Sequence, residues 1–163
     1  MIVLLCLKKI LNKEMEIKIR VGKENDLPQV FDLIKELALY EKAPQEVTNN
    51  IEKMKEDGFG ANPVFIFFIA EKNEKIIGIS LFYIRYSTWK GKCLYLEDII
   101  VTENFRGKGI GNLLFTKTCE YAKEKNFVSI NWQVLNWNEP AINFYKKFDA
   151  EFDAEWLNCK IML

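Results

Sequence analysis

Apolar residues along this chain change period several times, and each change marks an element. From Glu16 to Val21 they alternate with polar residues, the pattern of a half-buried strand. Asn25 and Asp26 then offer an N-cap, with Pro28 in the first turn behind it. Leu27, Val30, Phe31, Ile34, Leu37 and Ala38 follow at helical spacing on one face. A second helix is expected over Val47 to Glu56, stopping at Asp57-Gly58. Val64 to Ala70 is an unbroken apolar run, as in a central strand. Asn73 to Lys75 reads as a turn, Ile76 to Tyr86 as a strand, Trp89-Lys90-Gly91 as a loop and Cys93 to Val101 as a third strand. Gly109 to Lys125 predicts a helix, Val128 to Leu135 a strand, Glu139 to Phe148 a helix, and the tail one or two strands.

Hairpins that precede strand-helix-strand crossovers imply a mixed sheet in an α/β (α+β) domain. No linker, repeat or low-complexity tract divides the chain, and 163 residues suit one domain, expected over residues 15–163. The stretch Met1 to Leu7 is apolar, with Lys8 and Lys9 behind it. It is too short to span a bilayer and has neither a basic leader nor a small-residue cleavage site. Residues 1–14 are expected to be either an upstream extension of uncertain order, with Met15 as the true start, or an extra N-terminal helix or strand.

Charge narrows the partners. Lys and Arg number 23, as do Asp and Glu, so the basic excess that a nucleic-acid binder needs is missing. The cysteines Cys6, Cys93, Cys119 and Cys159 form no C-x-x-C pair, and the chain has no histidine. No zinc site and no metal are expected, and the sparse cysteines suit a reduced, cytoplasmic protein. Any general base must then be a carboxylate, a tyrosine, a cysteine or a bound water.

Chemistry concentrates in three segments. The first is Val101-Thr-Glu-Asn-Phe-Arg-Gly-Lys-Gly-Ile-Gly111, where a strand gives way to a glycine-rich turn and a helix with Ile110, Leu113, Leu114 and Tyr121 on its apolar face. Glycines let successive backbone N–H groups point into one concavity, and the helix dipole faces it. Arg106 and Lys108 add charge, and the turn suits a pyrophosphate. Both the Walker loop and the dinucleotide fingerprint fail at Asn112, which leaves R-x-x-G-x-G from Arg106, Gly109 and Gly111. The bland alternative is a tight turn with a glycine-started helix.

The second segment is the strand Cys93 to Val101, which carries Glu97 and Asp98 in its middle. Buried charges are costly unless paired or hydrated. Strand alternation puts the two acids on opposite faces, so that one faces a cleft as a candidate general base. The alternative is a strand that ends near Leu96, with both acids in solvent. The third segment, Trp137 to Lys147, has Asn138 and Glu139 to cap a helix, Pro140 in its first turn, and Ala141, Phe144, Tyr145 and Phe148 on one face. Tyr145 reads either as a core tyrosine or as a phenol able to protonate a leaving thiolate.

Together these segments resemble the GNAT superfamily of N-acetyltransferases, from about Ile17 to the C-terminus. Within it the chain is most similar to the diamine acetyltransferases, which act on spermidine, spermine or thialysine. The matching stretches are Leu33 to Ala38 with Tyr40-Glu41, Glu56 to Gly60, Leu94 to Asp98, Arg106 to Gly111, and Trp137 to Pro140 with Ile142 to Lys146. The resemblance implies a GNAT fold, with six to seven strands and about four helices. It implies acetyl-CoA as donor, direct transfer to the primary amine of a small polyamine- or diamine-like substrate, and a homodimer. Glu97 would deprotonate the substrate ammonium through water, and Tyr145 would protonate the coenzyme A thiolate. The backbone of Ile99, Ile100 and Val101 would hold the pantetheine arm. Arg106, Gly107, Lys108, Gly109, Ile110 and Gly111 would hold the pyrophosphate, with Asn138 also on the cofactor. Glu41, Trp89, Asp98 and Trp156 match positions around the amine channel.

Two positions depart from that pattern. Ser87 stands where the polyamine enzymes carry an acid, so one anchor for a long polyamine is missing. Asp149 replaces the glycine after the last helix, at a position where aspartate can still adopt the left-handed conformation. The alternatives are therefore transfer to thialysine, another small amine or a protein N-terminus, or a non-catalytic acyl-CoA sensor. No membrane association is expected.

Overall fold

The computed structural model describes residues 17–162. Among these residues, five strands form one mixed sheet in the order β1-β2-β3-β4-β5: β1 is Lys18–Val21, β2 Ile66–Lys72, β3 Lys75–Ser87, β4 Gly91–Val101 and β5 Ile130–Asn131. The first four pair antiparallel, and β5 joins β4 in parallel after a helical crossover. Four α-helices accompany them: α1 Leu27–Tyr40, α2 Ile51–Phe59, α3 Ile110–Glu124 and α4 Glu139–Lys146. The chain divides into two compact units between Trp132 and Gln133.

In the first unit the sheet is covered on both faces. Phe67, Ile69, Ile79, Leu81 and Ile100 point to one side and form a core with Leu27, Val30, Phe31 and Leu33 of α1 and Met54 of α2. Phe68 and Phe82 point to the other, where their rings meet Tyr121 of α3 at 5.9 and 5.2 Å. On that face Ser80 Oγ and Thr118 Oγ1 share a buried hydrogen bond of 2.7 Å. Gly78 allows the close approach of α3, because a Cβ there would lie 2.9 Å from the Ile100 carbonyl oxygen and 3.1 Å from Leu114 Cδ1. Burying large apolar side chains on both faces supplies most of the driving force, roughly 1.5–3 kcal/mol for each one fully buried.

Several elements differ from the sequence pattern. Asp26 does not cap α1 with its side chain. Its carboxylate takes both Arg20 guanidinium nitrogens, at 2.6 and 2.9 Å, and the Lys23 N–H at 2.7 Å. The hydrogen bond from Arg20 holds Asp26 below the usual carboxylate range. α2 begins later than Val47, because Asn50 Oδ1 accepts the Lys53 N–H at 2.9 Å and so starts the helix there. It also runs through Gly58, over which the Phe65 ring packs too closely for a Cβ. Leu113, expected on the apolar face of α3, is exposed, and Phe115 and Thr118 are buried instead. The hairpin after β2 turns at Asn73 and Glu74, both with positive φ.

The sheet has fewer strands than the six to seven expected. The strand expected over Val128 to Leu135 is reduced to Ile130–Asn131, paired through Leu94↔Ile130 and Tyr95↔Asn131. The tail adds no strand among its described residues. The second unit, taken by itself, contains α4 and this tail. Asn138 Oδ1 caps α4 by accepting the Ala141 N–H at 3.3 Å. The Phe144 ring contacts Tyr145 and Phe148 at 5.2 and 5.3 Å. Gln133 Nε2 donates to Asn158 Oδ1.

Candidate active site

β4 carries two chemical features at its C-terminal half, and a break in register sets both. Phe82 pairs with Leu96, but the next residue of β3, Leu81, pairs with Asp98. Glu97 is therefore the extra residue of a β-bulge, which bends the strand and interrupts its alternation. Asp98 faces the same side as its partner Leu81, toward α1. Glu97 lies close enough to Tyr83 and Tyr95 for its charge to act on both, and Tyr83, two residues from Leu81, is on that side too. The expectation that the two acids occupy opposite faces is thus corrected. The bulge turns both to one side.

The Glu41 carboxylate, just past the end of α1, joins them. Neighbouring like charges raise the cost of ionising a buried acid. Burial first, then the charges of Glu97 and Glu41, push Asp98 up to about 7. Burial also raises Glu41. Tyr83 and Tyr95 stack beside the acids with ring centroids 5.1 Å apart, and both phenols are raised by burial and then by the Glu97 charge. Arg85 stands 5.7 Å from the Tyr95 ring. Negative charge beside aromatic faces is a setting that attracts an ammonium group. Glu97 itself is exposed and open to a solute.

The second feature begins where β4 ends. A short 3-10 turn, Glu103–Phe105, leads to Arg106, then to Gly107 with φ +72° and to Gly109 with φ +79°. Gly109 is the N-cap of α3 and nothing lies within 4 Å of a Cβ built there, so backbone conformation, not crowding, demands glycine. Leu113 N–H donates to the Gly109 carbonyl, and the N–H groups ahead of it at the helix start have no acceptor within the helix. Open space, N–H groups and the positive end of a 15-residue helix fit a pyrophosphate. Lys108 Nζ bonds the Asn104 carbonyl at 2.9 Å and lies 5.0 Å from the Phe105 ring. β5 accompanies β4 at Leu94 and Tyr95 only, ahead of the bulge. Among the described strands, the backbone of Ile99, Ile100 and Val101 is paired on the β3 side alone.

The structure therefore gathers Glu41, Glu97, Asp98, Ile99 to Val101 and Arg106 to Gly111 along one strand and its flanks. Trp89 is 85% exposed in the turn between β3 and β4. The remaining expected residues belong to the second unit: Asn138 is buried as the cap of α4, Tyr145 is buried within that helix, and Trp156 is 75% exposed in the tail. Sequence reading singled out neither Tyr83 and Tyr95 nor Glu36, whose carboxylate bonds Thr102, Glu103 and Arg106 at the start of the glycine turn. The Tyr83–Tyr95 pair would have been found by aligning the two strands across their loop. Glu36 had no local signal.

Residues 27–150 match the Acetyltransferase (GNAT) family, a span that includes the bulge, the glycine turn and α4. The chain belongs to the GNAT acetyltransferase family. This acetyltransferase is 37% identical over 153 residues to the thialysine N-epsilon-acetyltransferase of Bos taurus, covering 88% of its own length and 90% of that protein's. It is 39% identical over 121 residues to the Caenorhabditis elegans protein of the same name, covering 74% of each. An aminoglycoside acetyltransferase from an uncultured soil metagenomic sample, solved with trehalose, shares the fold. Its TM-score is 0.74 and its identity 24%, over 90% of this chain and 96% of that one. Among the described residues no cluster of His, Cys, Asp or Glu is arranged to hold a metal ion, and no helix is long and apolar enough to cross a membrane.

Proposed function

We propose that this acetyltransferase moves the acetyl group of acetyl-CoA to the primary amine of a small cationic substrate, with thialysine or a similar short diamine-like molecule preferred over long polyamines. The observation that carries the reading is the convergence of Glu41, Glu97 and Asp98 on one side of β4, directly upstream of the glycine turn. The 37% identity to a thialysine acetyltransferase along nearly its whole length supports the substrate class. Ser87 supports a short substrate: its Oγ accepts the Lys90 N–H at 3.2 Å and so serves the hairpin turn rather than anchoring a distant ammonium.

Bound acetyl-CoA supplies the thioester. The backbone N–H groups of Gly107 to Gly111 and the α3 dipole hold its pyrophosphate, Arg106 and Lys108 add positive charge, and Asn138 assists. The one-sided backbone of Ile99 to Val101 holds the pantetheine arm. The substrate ammonium is drawn to Asp98 and Glu41, with Trp89 and Trp156 as the further amine-binding residues of the family pattern. Glu97 removes one ammonium proton through a water molecule, which frees the nitrogen lone pair for attack. A C–N bond forms as the C–S bond breaks, Tyr145 gives its phenolic proton to the departing sulfur, and the second nitrogen proton, lost as the neutral amide forms, restores the phenol through solvent. No acyl-enzyme is needed: Cys93 is buried in β4, and burial raises the Cys119 thiol, so neither is an activated nucleophile. By the same resemblance the enzyme acts as a cytoplasmic homodimer.

The test is coenzyme A release with acetyl-CoA against thialysine, lysine, putrescine, spermidine, spermine and a protein N-terminal peptide. Turnover highest with thialysine or a short amine is expected. Ser87→Asp should move preference a few-fold toward spermidine. Turnover confined to the peptide, or acetyl-CoA binding without turnover of any amine, would overturn the reading.

A further inference from the structure

Glu36, in the third turn of α1, reaches the start of the glycine turn through three different partners. Its Oε2 accepts the Thr102 hydroxyl at 2.7 Å. Its Oε1 accepts the Glu103 N–H at 2.9 Å and pairs with an Arg106 terminal nitrogen at 3.3 Å. Arg106 is held from two further directions: its Nε donates to the Val101 carbonyl at 2.8 Å, and its guanidinium lies 4.9 Å from the centre of the Tyr40 ring, one helical turn beyond Glu36. The carboxylate thus ties together the last residues of β4, the 3-10 turn and the first cation of the phosphate-binding segment. None of these contacts is needed to bury the core, since Thr102 and Glu36 are half-buried and Glu103 and Arg106 are exposed.

We propose that Glu36 is a positioning residue for acetyl-CoA binding: it holds the start of the glycine turn against α1 and fixes the direction of the Arg106 guanidinium. The reason is geometric. The N–H groups from Gly107 onward lie on a segment whose two glycines permit many backbone conformations, and such freedom must be lost when a pyrophosphate binds. Three bonds from a helix anchor remove much of it beforehand. The same helix ends at Glu41 in the acid cluster, so α1 sets the donor and acceptor halves of the site at a fixed separation.

The inference rests on the acetyl-CoA reading, and the experiment separates the two. Coenzyme A affinity is measured by calorimetry, and steady-state constants for both substrates, on the wild type, Glu36→Ala, Glu36→Gln and Thr102→Val, alongside thermal unfolding. Glu36→Ala should weaken coenzyme A binding and raise the acetyl-CoA KM about tenfold, with kcat and the amine KM within about twofold. Glu36→Gln, which still accepts from Thr102 or Glu103, should recover part of the loss, and Thr102→Val should show a smaller loss of the same kind. Wild-type coenzyme A affinity in folded Glu36→Ala and Thr102→Val would overturn the positioning role. So would equal loss in both KM values with a lowered Tm, the mark of a general structural role. Should Glu36→Ala not fold, Thr102→Val and Glu36→Gln decide by the same criteria. A wild type that fails to bind coenzyme A would instead overturn the reading on which the inference stands.

Discussion

The two ends of the candidate site along β4 suit opposite charges by opposite means. Past the C-terminus of the strand, a glycine turn and a helix start offer backbone N–H groups suited to an anion. The residues involved are contiguous and the conformation they need is local, because positive φ at Gly107 and Gly109 depends on the missing Cβ alone. Within the strand, from four residues before its last one, the acid cluster offers carboxylates suited to a cation. Its members come from α1 and β4, with aromatic neighbours on β3, and they meet only because a bulge breaks alternation. One region tolerates little change of backbone, whereas the other tolerates little change of charge.

The sharpest way to break this comparison is to neutralise the bulge. Glu97→Gln should lower kcat by roughly 100-fold or more, since a positioned base contributes about 10²–10⁴. Calorimetry with coenzyme A should show unaltered affinity. Equal loss of coenzyme A binding would mean that the two ends are not separable.

A backbone change should do the reverse. Gly109→Ala places a side chain at φ +79°, which costs on the order of 1–2 kcal/mol for an L-residue, but meets no atom within 4 Å. The acetyl-CoA KM should rise about tenfold and the amine KM should hardly move. A variant with wild-type acetyl-CoA kinetics would show that the turn conformation does not govern donor binding.

The smallest expected effect concerns Asp98. Its carboxyl is raised from an ordinary value of 3.8 to about 7, so it remains protonated in the folded protein between those limits and ionises above them. Amine affinity should therefore strengthen as pH rises through about 7. Stability runs the other way: the unfolded chain releases this proton near pH 4 and the folded one near 7, so Asp98 costs progressively more stability as pH rises across that window. Asp98→Asn should flatten the pH dependence of the amine KM near 7 and raise Tm by a few degrees at pH 8, with no gain at pH 4. Titrations of KM and Tm on the same samples check both signs.

Much of this was legible beforehand. The long elements α1, β3, β4 and α3 follow from apolar period, because each buries a face large enough to dominate local preference. The glycine turn was readable for the same reason that it is local. The misreadings share one cause. Asp26 looked like a cap until Arg20 claimed it, the strand after α3 looked eight residues long until β4 paired with only two, and Glu97 and Asp98 looked divergent until the register slipped. Each outcome was decided by a partner distant in the chain.

By itself, then, the sequence determined that this protein has a mixed α/β sheet, a glycine-rich turn from Arg106 to Gly111, and no histidine to serve as a base. These depend on residue identity and on periods of a few residues. The tertiary structure alone decided that Glu41, Glu97 and Asp98 share one side, and that Glu36 grips the turn from α1. Electrostatic coupling and hydrogen bonding depend on distance in space, and only the packing of α1 against a bulged β4 brings those carboxylates within reach of their partners.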